Sequence, residues 1–268
     1  MKRKLRVRWV AVALCAAILP VTAHAVDKKR YLKLLAILII GLLGLLPGNV
    51  QPLRADESNP VMAIDILLEP DATMVQHAAA VNARLRGVFK EGFALDASHR
   101  PHISMFQCYV RTADLAKVYA TAAKVLAGGN ITDLKLKAFK YYYIPDKTLG
   151  LSGIVIEPTP ALLKLQEDLI AAVAPLTVKT ATSAAFVSSN DPGVNQLLIT
   201  YVEVFATEHA GAHFEPHVTT GIAPREYLDK MLAEPFENFT FSPAGAAVYH
   251  LGPYGTAAEK LKQLDLKP

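Results

Sequence analysis

The chain has 268 residues with 28 basic and 24 acidic side chains, but its positive balance is confined to the N-terminus. Residues 1–55 hold ten of the basic residues and one acid, which leaves 18 basic and 23 acidic residues in 56–268. The body is therefore mildly acidic, which argues against a protein that grips duplex DNA through a broad phosphate-binding face. Cys108 is the single cysteine of the body, so no intramolecular disulfide can form there.

The first 55 residues contain two basic segments, each followed by an apolar run, at 9–20 and 34–46. This pattern is typical of a secretory signal peptide, and neither run reaches the ~20 residues that span a bilayer comfortably. We interpret 1–55 as a targeting region, either the signal peptide of a chain whose true start is Val26 or a membrane anchor made of both runs. The body is then expected to be periplasmic or secreted, or else membrane-anchored and facing outside the cytoplasm, with the membrane touched only through the N-terminal segment.

The body, 56–268, repeats one order of elements twice. The first copy predicts strand, helix, strand, helix and strand at 61–70, 72–88, 100–110, 112–127 and 131–144. The second copy predicts the same order at 151–158, 160–174, 214–222, 224–233 and 238–251, with an insertion at 176–213 in which 196–205 has the composition of a strand. We therefore expect an α+β, bilobal duplicated fold in which two antiparallel sheets flank a central cleft with helices outside. Lobe 1 would cover about 61–145 and lobe 2 about 148–265.

Two tetrapeptides occupy equivalent strands of the two copies, and they carry the chemistry. They are Pro-His-Ile-Ser at 101–104 and Pro-His-Val-Thr at 216–219, and only these two of the eight histidines have a hydroxyl residue two positions on. Alternate side chains on a strand share a face, so His102 points with Ser104 and His217 with Thr219. Two imidazoles in one cleft can act as general base and general acid, and the hydroxyls can donate to phosphate oxygens. The pattern predicts metal-free and cofactor-free cleavage of a phosphodiester, with His102 and His217 catalytic and Ser104 and Thr219 binding the phosphate.

The paired motifs resemble the signature of the two-histidine phosphoesterase superfamily, also described as RNA 2′,5′-ligase-like, which carries His-x-Ser/Thr once in each lobe. The resemblance spans about 61–265 and includes the sequence VYHLGPYG at 248–255. It implies a cyclic phosphodiesterase-like hydrolase that acts without a metal on 2′,3′-cyclic phosphates, related cyclic phosphodiesters or 2′-5′ linkages. The 115-residue separation of the two histidines is longer than in compact members, because of the insertion.

The expected partner is a small cyclic phosphodiester, such as a nucleoside 2′,3′-cyclic phosphate, with short RNA ends as a second candidate. Two other functions suit the same cleft: a non-catalytic module that binds a nucleotide or phosphate ester, and 2′-5′ RNA ligation. We predict that Phe106 and Tyr249 stack on a substrate base, and Tyr201 and Tyr254 are further candidates for the cleft lining.

Two further features lie in or next to the insertion. The histidines at 209, 213 and 217 are spaced by four, as zinc ligands on a helix would be. Gly211 and Pro216 argue against one continuous helix there, so we do not expect a zinc site. Because long loops in compact domains are often functional, we expect part of 176–213 to overhang the cleft mouth.

Overall fold

The computed structural model describes residues 59–188 and 194–266. Two antiparallel sheets and several helices make up this part of the chain, so the α+β fold predicted from the sequence is confirmed. The targeting region predicted at 1–55 lies outside the described residues. In the described ranges, no helix combines the length and apolar character that a membrane span requires.

The strands and helices follow the predicted order, except that a short strand is added at 177–178, the strand predicted at 238–251 is divided in two, and three larger differences occur. The strands are β1 (Val61–Pro70), β2 (Ile103–Arg111), β3 (Leu136–Asp146), β4 (Leu149–Ile156), β5 (Thr177–Val178), β6 (His217–Pro224), β7 (Phe239–Phe241), β8 (Pro243–Leu251) and β9 (Ala257–Gln263). The helices are α1 (Ala72–Val88), α2 (Leu115–Gly128), α3 (Pro160–Val173), α4 (Gln196–Glu208) and α5 (Arg225–Leu232).

The first difference concerns the composition of the two sheets. One sheet has the order β5-β2-β1-β8-β9 and the other β6-β4-β3-β7, so each takes strands from both halves of the sequence. β3 pairs with β4 because a two-residue turn at Lys147 and Thr148 joins them as a hairpin. The boundary expected between 145 and 148 therefore falls inside a sheet, and the predicted lobes do not coincide with the sheets.

The second difference is the segment 196–205, for which the sequence predicts a strand and which is the helix α4. The Asn195 side chain accepts a hydrogen bond from the Leu198 backbone N–H at 3.0 Å and caps the helix. Ile199, Val202 and Phe205 are buried at three-residue spacing, and α4 packs against β2. The cap and this buried stripe outweigh the strand propensity of the β-branched residues, which is a weak preference.

The third difference is β9, which the sequence analysis does not predict. Its sequence, AAEKLKQ, lacks the apolar alternation of a half-buried strand, and most of its side chains are exposed. It lies at the edge of the first sheet beside β8, where charged side chains are common.

One apolar core ties the sheets and helices together. It includes β1 and β2 of the first sheet and β4 and β6 of the second, and each of the five helices contributes to it, through Met74, Val118, Leu162, Phe205 and Leu228. Asp71 fixes the start of α1, since its side chain accepts from the backbone N–H groups of Thr73 and Met74. α1 packs against β6, which starts at His217.

Candidate active site

The two histidines of the repeated motif are held in the same way. His102 Nδ1 lies 2.6 Å from the carbonyl oxygen of Arg100, and His217 Nδ1 lies 2.8 Å from that of Glu215. A carbonyl oxygen can only accept, so Nδ1 is the donor in both rings. The neutral form of each imidazole therefore carries its hydrogen on Nδ1 and leaves a lone pair on Nε2. The two repeated motifs therefore hold their histidines in the same neutral tautomer.

The four motif residues meet at one cavity of about 180 Å³. Ser104 and Thr219 line it together with both histidines, so the structure brings together the residues that the sequence predicted as one constellation. The other residues that line it are Gln107, Ile144, Pro145, Asp146, Leu151, Asn195, Leu197, Leu198, Tyr201, Tyr254 and Gly255. Asn195, Leu197, Leu198 and Tyr201 come from the insertion, which therefore supplies one wall of the cavity.

Burial disfavours positive charge on both imidazoles. Burial, with a smaller contribution from charge repulsion by the neighbouring His217, lowers the pKa of His102 from 6.5 to about 4, although the hydrogen bond to the Arg100 carbonyl opposes the change. Burial also lowers the pKa of His217, although the Glu215 carbonyl and carboxylate oppose the change. Both rings are therefore mainly neutral at neutral pH, and an anion bound between them would favour their charged forms.

A buried acid that the sequence analysis missed lies beneath His102. Asp65, in the middle of β1, is fully buried, and its Oδ2 accepts from Ser104 Oγ at 2.5 Å and from Gln107 Nε2 at 3.1 Å. His102 Nε2 lies 3.5 Å from the same oxygen. The signal was available, since Asp65 is a single acid within the otherwise apolar VMAIDILL of a predicted buried strand.

Phe106 does not line the cavity, because of a β-bulge in β2. The pairing with β1 passes from Phe106 opposite Ile66 to Ser104 opposite Leu67, which leaves Met105 as an extra residue. The alternation of faces is reversed beyond this point, so Phe106 turns into the core, with its ring centroid 6.1 Å from that of Phe205. Gln107 takes its place at the cavity.

Tyr249 is also placed elsewhere than predicted. It is buried in β8 against Leu67 and Ala257, and its hydroxyl donates to Glu69 Oε1 at 3.3 Å. Because neither Tyr249 nor Phe106 lines the cavity, the stacking role predicted for them there is not supported.

Other aromatic residues line the site instead. Tyr201 and Tyr254 line the cavity, and the Tyr142 ring centroid lies 4.8 Å from that of His217. Tyr254 has φ of +60°, a conformation that is uncommon for a non-glycine residue and that occurs in a tight turn between Pro253 and Gly255. This turn brings the ring to the cavity.

The three histidines spaced by four, at 209, 213 and 217, are not on one helix. His209 follows α4 and stacks on Tyr201 at 4.1 Å between ring centroids, His213 lies in a 3-10 turn, and His217 begins β6. Over 59–188 and 194–266, the structure contains no group of three metal-ligating side chains that could hold an ion.

Comparison with known proteins finds similar chain folds among solved structures. One is TT0787 of Thermus thermophilus, with 15% identity, a TM-score of 0.47, and coverage of 77% of this chain and 98% of that chain. Another is Escherichia coli LigT in complex with phosphate, with 10% identity, a TM-score of 0.34, and coverage of 78% and 99%. No family model matches the chain, and no curated protein is significantly similar to it in sequence.

Proposed function

We propose that the protein is an exported, metal-independent phosphoesterase of the two-histidine type that hydrolyses a small cyclic phosphodiester, such as a nucleoside 2′,3′-cyclic phosphate. The observation that carries this proposal is the matched pair of histidines at one cavity. Each donates Nδ1–H to the carbonyl two residues earlier, so the neutral ring has its lone pair on Nε2. A structural role for either ring would not require the same tautomer at the same cavity twice.

The chemistry requires one neutral and one protonated imidazole. Nε2 of the neutral ring takes a proton from a water molecule while the water oxygen bonds to phosphorus. Nε2 of the protonated ring gives its proton to the leaving ester oxygen while the bond between that oxygen and phosphorus breaks. The cyclic diester becomes a monoester with a free hydroxyl, and the two histidines have exchanged protonation states. Each positioned proton transfer typically supplies ~10²–10⁴-fold in rate. The Thr219 hydroxyl is available to donate to a non-bridging phosphate oxygen.

The lining of the cavity supports a small substrate. Ile144, Leu151, Leu197 and Leu198 give it apolar walls, and no lysine or arginine of the described ranges lines it. A polynucleotide would bring further phosphates without cationic partners, whereas one phosphate with an apolar or aromatic body suits these walls. Short RNA ends are therefore less favoured than a mononucleotide. We assign the base-stacking role to Tyr201 and Tyr254 in place of Phe106 and Tyr249.

Two other functions use the same cavity. A non-catalytic module would bind the phosphate ester without turning it over. A 2′-5′ RNA ligase would join ends by the reverse reaction, for which the proposed location outside the cytoplasm offers no evident supply of RNA fragments.

The experiment is a product analysis with the full-length protein and EDTA present. Nucleoside 2′,3′-cyclic phosphates are compared with linear 3′-5′ and 2′-5′ dinucleotides by phosphorus NMR. We expect the cyclic compounds to give phosphomonoesters. Saturable binding without product would favour the binding module instead, and cleavage restricted to 2′-5′ dinucleotides would favour ligase-type chemistry.

A further inference from the structure

Two hydroxyls that are equivalent in the sequence repeat have different surroundings. Ser104 donates its single hydroxyl hydrogen to Asp65 Oδ2 at 2.5 Å. While it does so, it can only accept at the cavity and cannot donate to a phosphate oxygen. Within 59–188 and 194–266, the Thr219 hydroxyl makes no such side-chain hydrogen bond. The second motif is therefore ready to bind an anion, and the first motif is not.

The surroundings of Asp65 favour a proton on this carboxyl group. The side chain is fully buried, and Oδ1 has no hydrogen-bond partner among the described residues. A buried carboxylate with an unsatisfied oxygen is costly in its ionised form. Burial raises the pKa of Asp65 to about 7, although the hydrogen bonds from Ser104 and Gln107 oppose the change.

We propose that Asp65 is a proton-linked positioning residue, which frees the Ser104 hydroxyl to donate to a bound phosphodiester only when Asp65 itself is protonated. This inference rests on the proposed phosphate site. A proton from solvent bonds to Asp65 Oδ2, and that O–H then donates to Ser104 Oγ. Ser104 turns its hydrogen toward a non-bridging oxygen of the ligand. Where Asp65 is ionised in the free protein, one proton enters with each ligand, and no other bond changes.

Burial moves the pKa values of the other titratable groups near Asp65 away from 7. Burial lowers the pKa of His102 to about 4, and it lowers that of His217 below 6.5. Burial raises the pKa of Cys108 and of Tyr201, and the Asp65 charge adds to both changes. The same holds for Tyr249, the β8 residue paired with Asp65, whose pKa is raised by burial and by Glu69. Among these groups, Asp65 is the one whose pKa burial brings to about 7.

The test measures the affinity of dimethyl phosphate for the full-length protein by calorimetry between about pH 5.5 and 9. This probe stays a monoanion throughout, so any pH dependence belongs to the protein. Above about pH 7 we expect the affinity to fall about tenfold per pH unit, with one proton taken up per ligand. The uptake is read from buffers that differ in ionisation enthalpy.

Asp65→Asn is the variant that can keep a hydrogen bond to Ser104 but cannot gain or lose the proton of the carboxyl group. The amide is nearly isosteric and can donate to Ser104 Oγ as the protonated acid does. We expect this variant to lose the fall in affinity above about pH 7 and the proton uptake that accompanies it. Ser104→Ala should also lose the dependence near pH 7, and it tests the inference if the first variant does not fold. Ser152→Ala, a buried hydroxyl on β4 outside the cavity lining, is the control and should keep the dependence.

Unchanged pH dependence in Asp65→Asn, or in Ser104→Ala, would overturn the inference. So would wild-type affinity that is constant above pH 6.5. The outcome is independent of catalysis: proton-linked binding without turnover overturns the hydrolase and leaves this inference standing, whereas turnover with pH-independent binding overturns this inference alone.

Discussion

His102 is buried and His217 is partly buried, and desolvation disfavours the charged form of both, which sets an expected pH dependence. Catalysis requires one of them to be protonated, and that form is lost as the pH rises through a pKa that lies below 6.5. We therefore expect kcat/KM, which reports the free enzyme, to have its maximum on the acidic side of pH 6.5. A profile from pH 4 to 9 measures this. A maximum at pH 7.5 or above would contradict the assignment.

Asp65 should also affect how the free energy of unfolding depends on pH. Its raised pKa means that the native state holds this proton more tightly than the unfolded chain, so ionisation of Asp65 costs stability as the pH rises from about 4 to about 7. Asp65→Asn escapes this cost, and its stability relative to wild type should increase by up to about 1.4 kcal/mol per pH unit over that range. Urea unfolding at pH 5 and pH 7 compares the two proteins. An identical difference at both pH values would show that Asp65 is not perturbed.

The four motif residues could be predicted from the sequence because their signal is local. A histidine and a hydroxyl two positions apart share a face of a strand wherever the strand lies. The partners of Asp65 could not be predicted, since its contact with Ser104 depends on how β1 and β2 are paired. Phe106 was misplaced for a related reason, because the bulge at Met105 reverses the alternation and leaves no clear mark in the sequence.

At the scale of elements, some side chains of α4 pack into the core and others line the cavity. Phe205 is buried on the core side of α4, whereas Leu197 of the same helix lines the cavity and is 73% exposed. Phe205→Ala should cost about 3–5 kcal/mol of stability. Leu197→Asp should leave stability nearly unchanged and raise KM for the cyclic phosphodiester, because it places a negative charge beside the anion.

Thermal unfolding and steady-state kinetics on both variants test this division. The result that would contradict it is a Leu197→Asp protein with unaltered KM, since the insertion would then have no part in substrate binding.

The element order was predictable as far as each element was specified by its own residues. The helix α1 has its cap at Asp71 and an apolar stripe, and the structure gives it the predicted bounds, Ala72–Val88. The segment 196–205 was ambiguous, because an apolar, β-branched run of ten residues suits a strand and a buried helix face alike. Which strands form each sheet depends on pairing between distant parts of the chain. The sequence repeat suggested one sheet per copy, whereas β3 of the first copy lies in the second sheet and β8 of the second copy lies in the first sheet.

At the scale of the whole molecule, the pattern of basic segments followed by apolar runs in 1–55 predicts that this region is removed from the exported protein or anchors it to a membrane. N-terminal sequencing of exported protein should begin near Asp56 if Val26 is the true start. A first residue at Val26 would instead indicate cleavage after the upstream run, with the second run as an anchor. Recovery of the intact chain from the cytoplasm would contradict both forms of the prediction.

The central claim is that His102 and His217 act as one acid–base pair on a phosphodiester without a metal. The most direct measurement is kcat for a nucleoside 2′,3′-cyclic phosphate, with EDTA, in wild type, His102→Ala, His217→Ala and the double variant. His77→Ala, which replaces a ring stacked on Phe239, is the control. We predict a loss of ~10²–10⁴-fold for each single variant, and a double variant little worse than the poorer single, because the two residues act as a unit. Full activity in His102→Ala, or activity that EDTA abolishes and zinc restores, would contradict the claim.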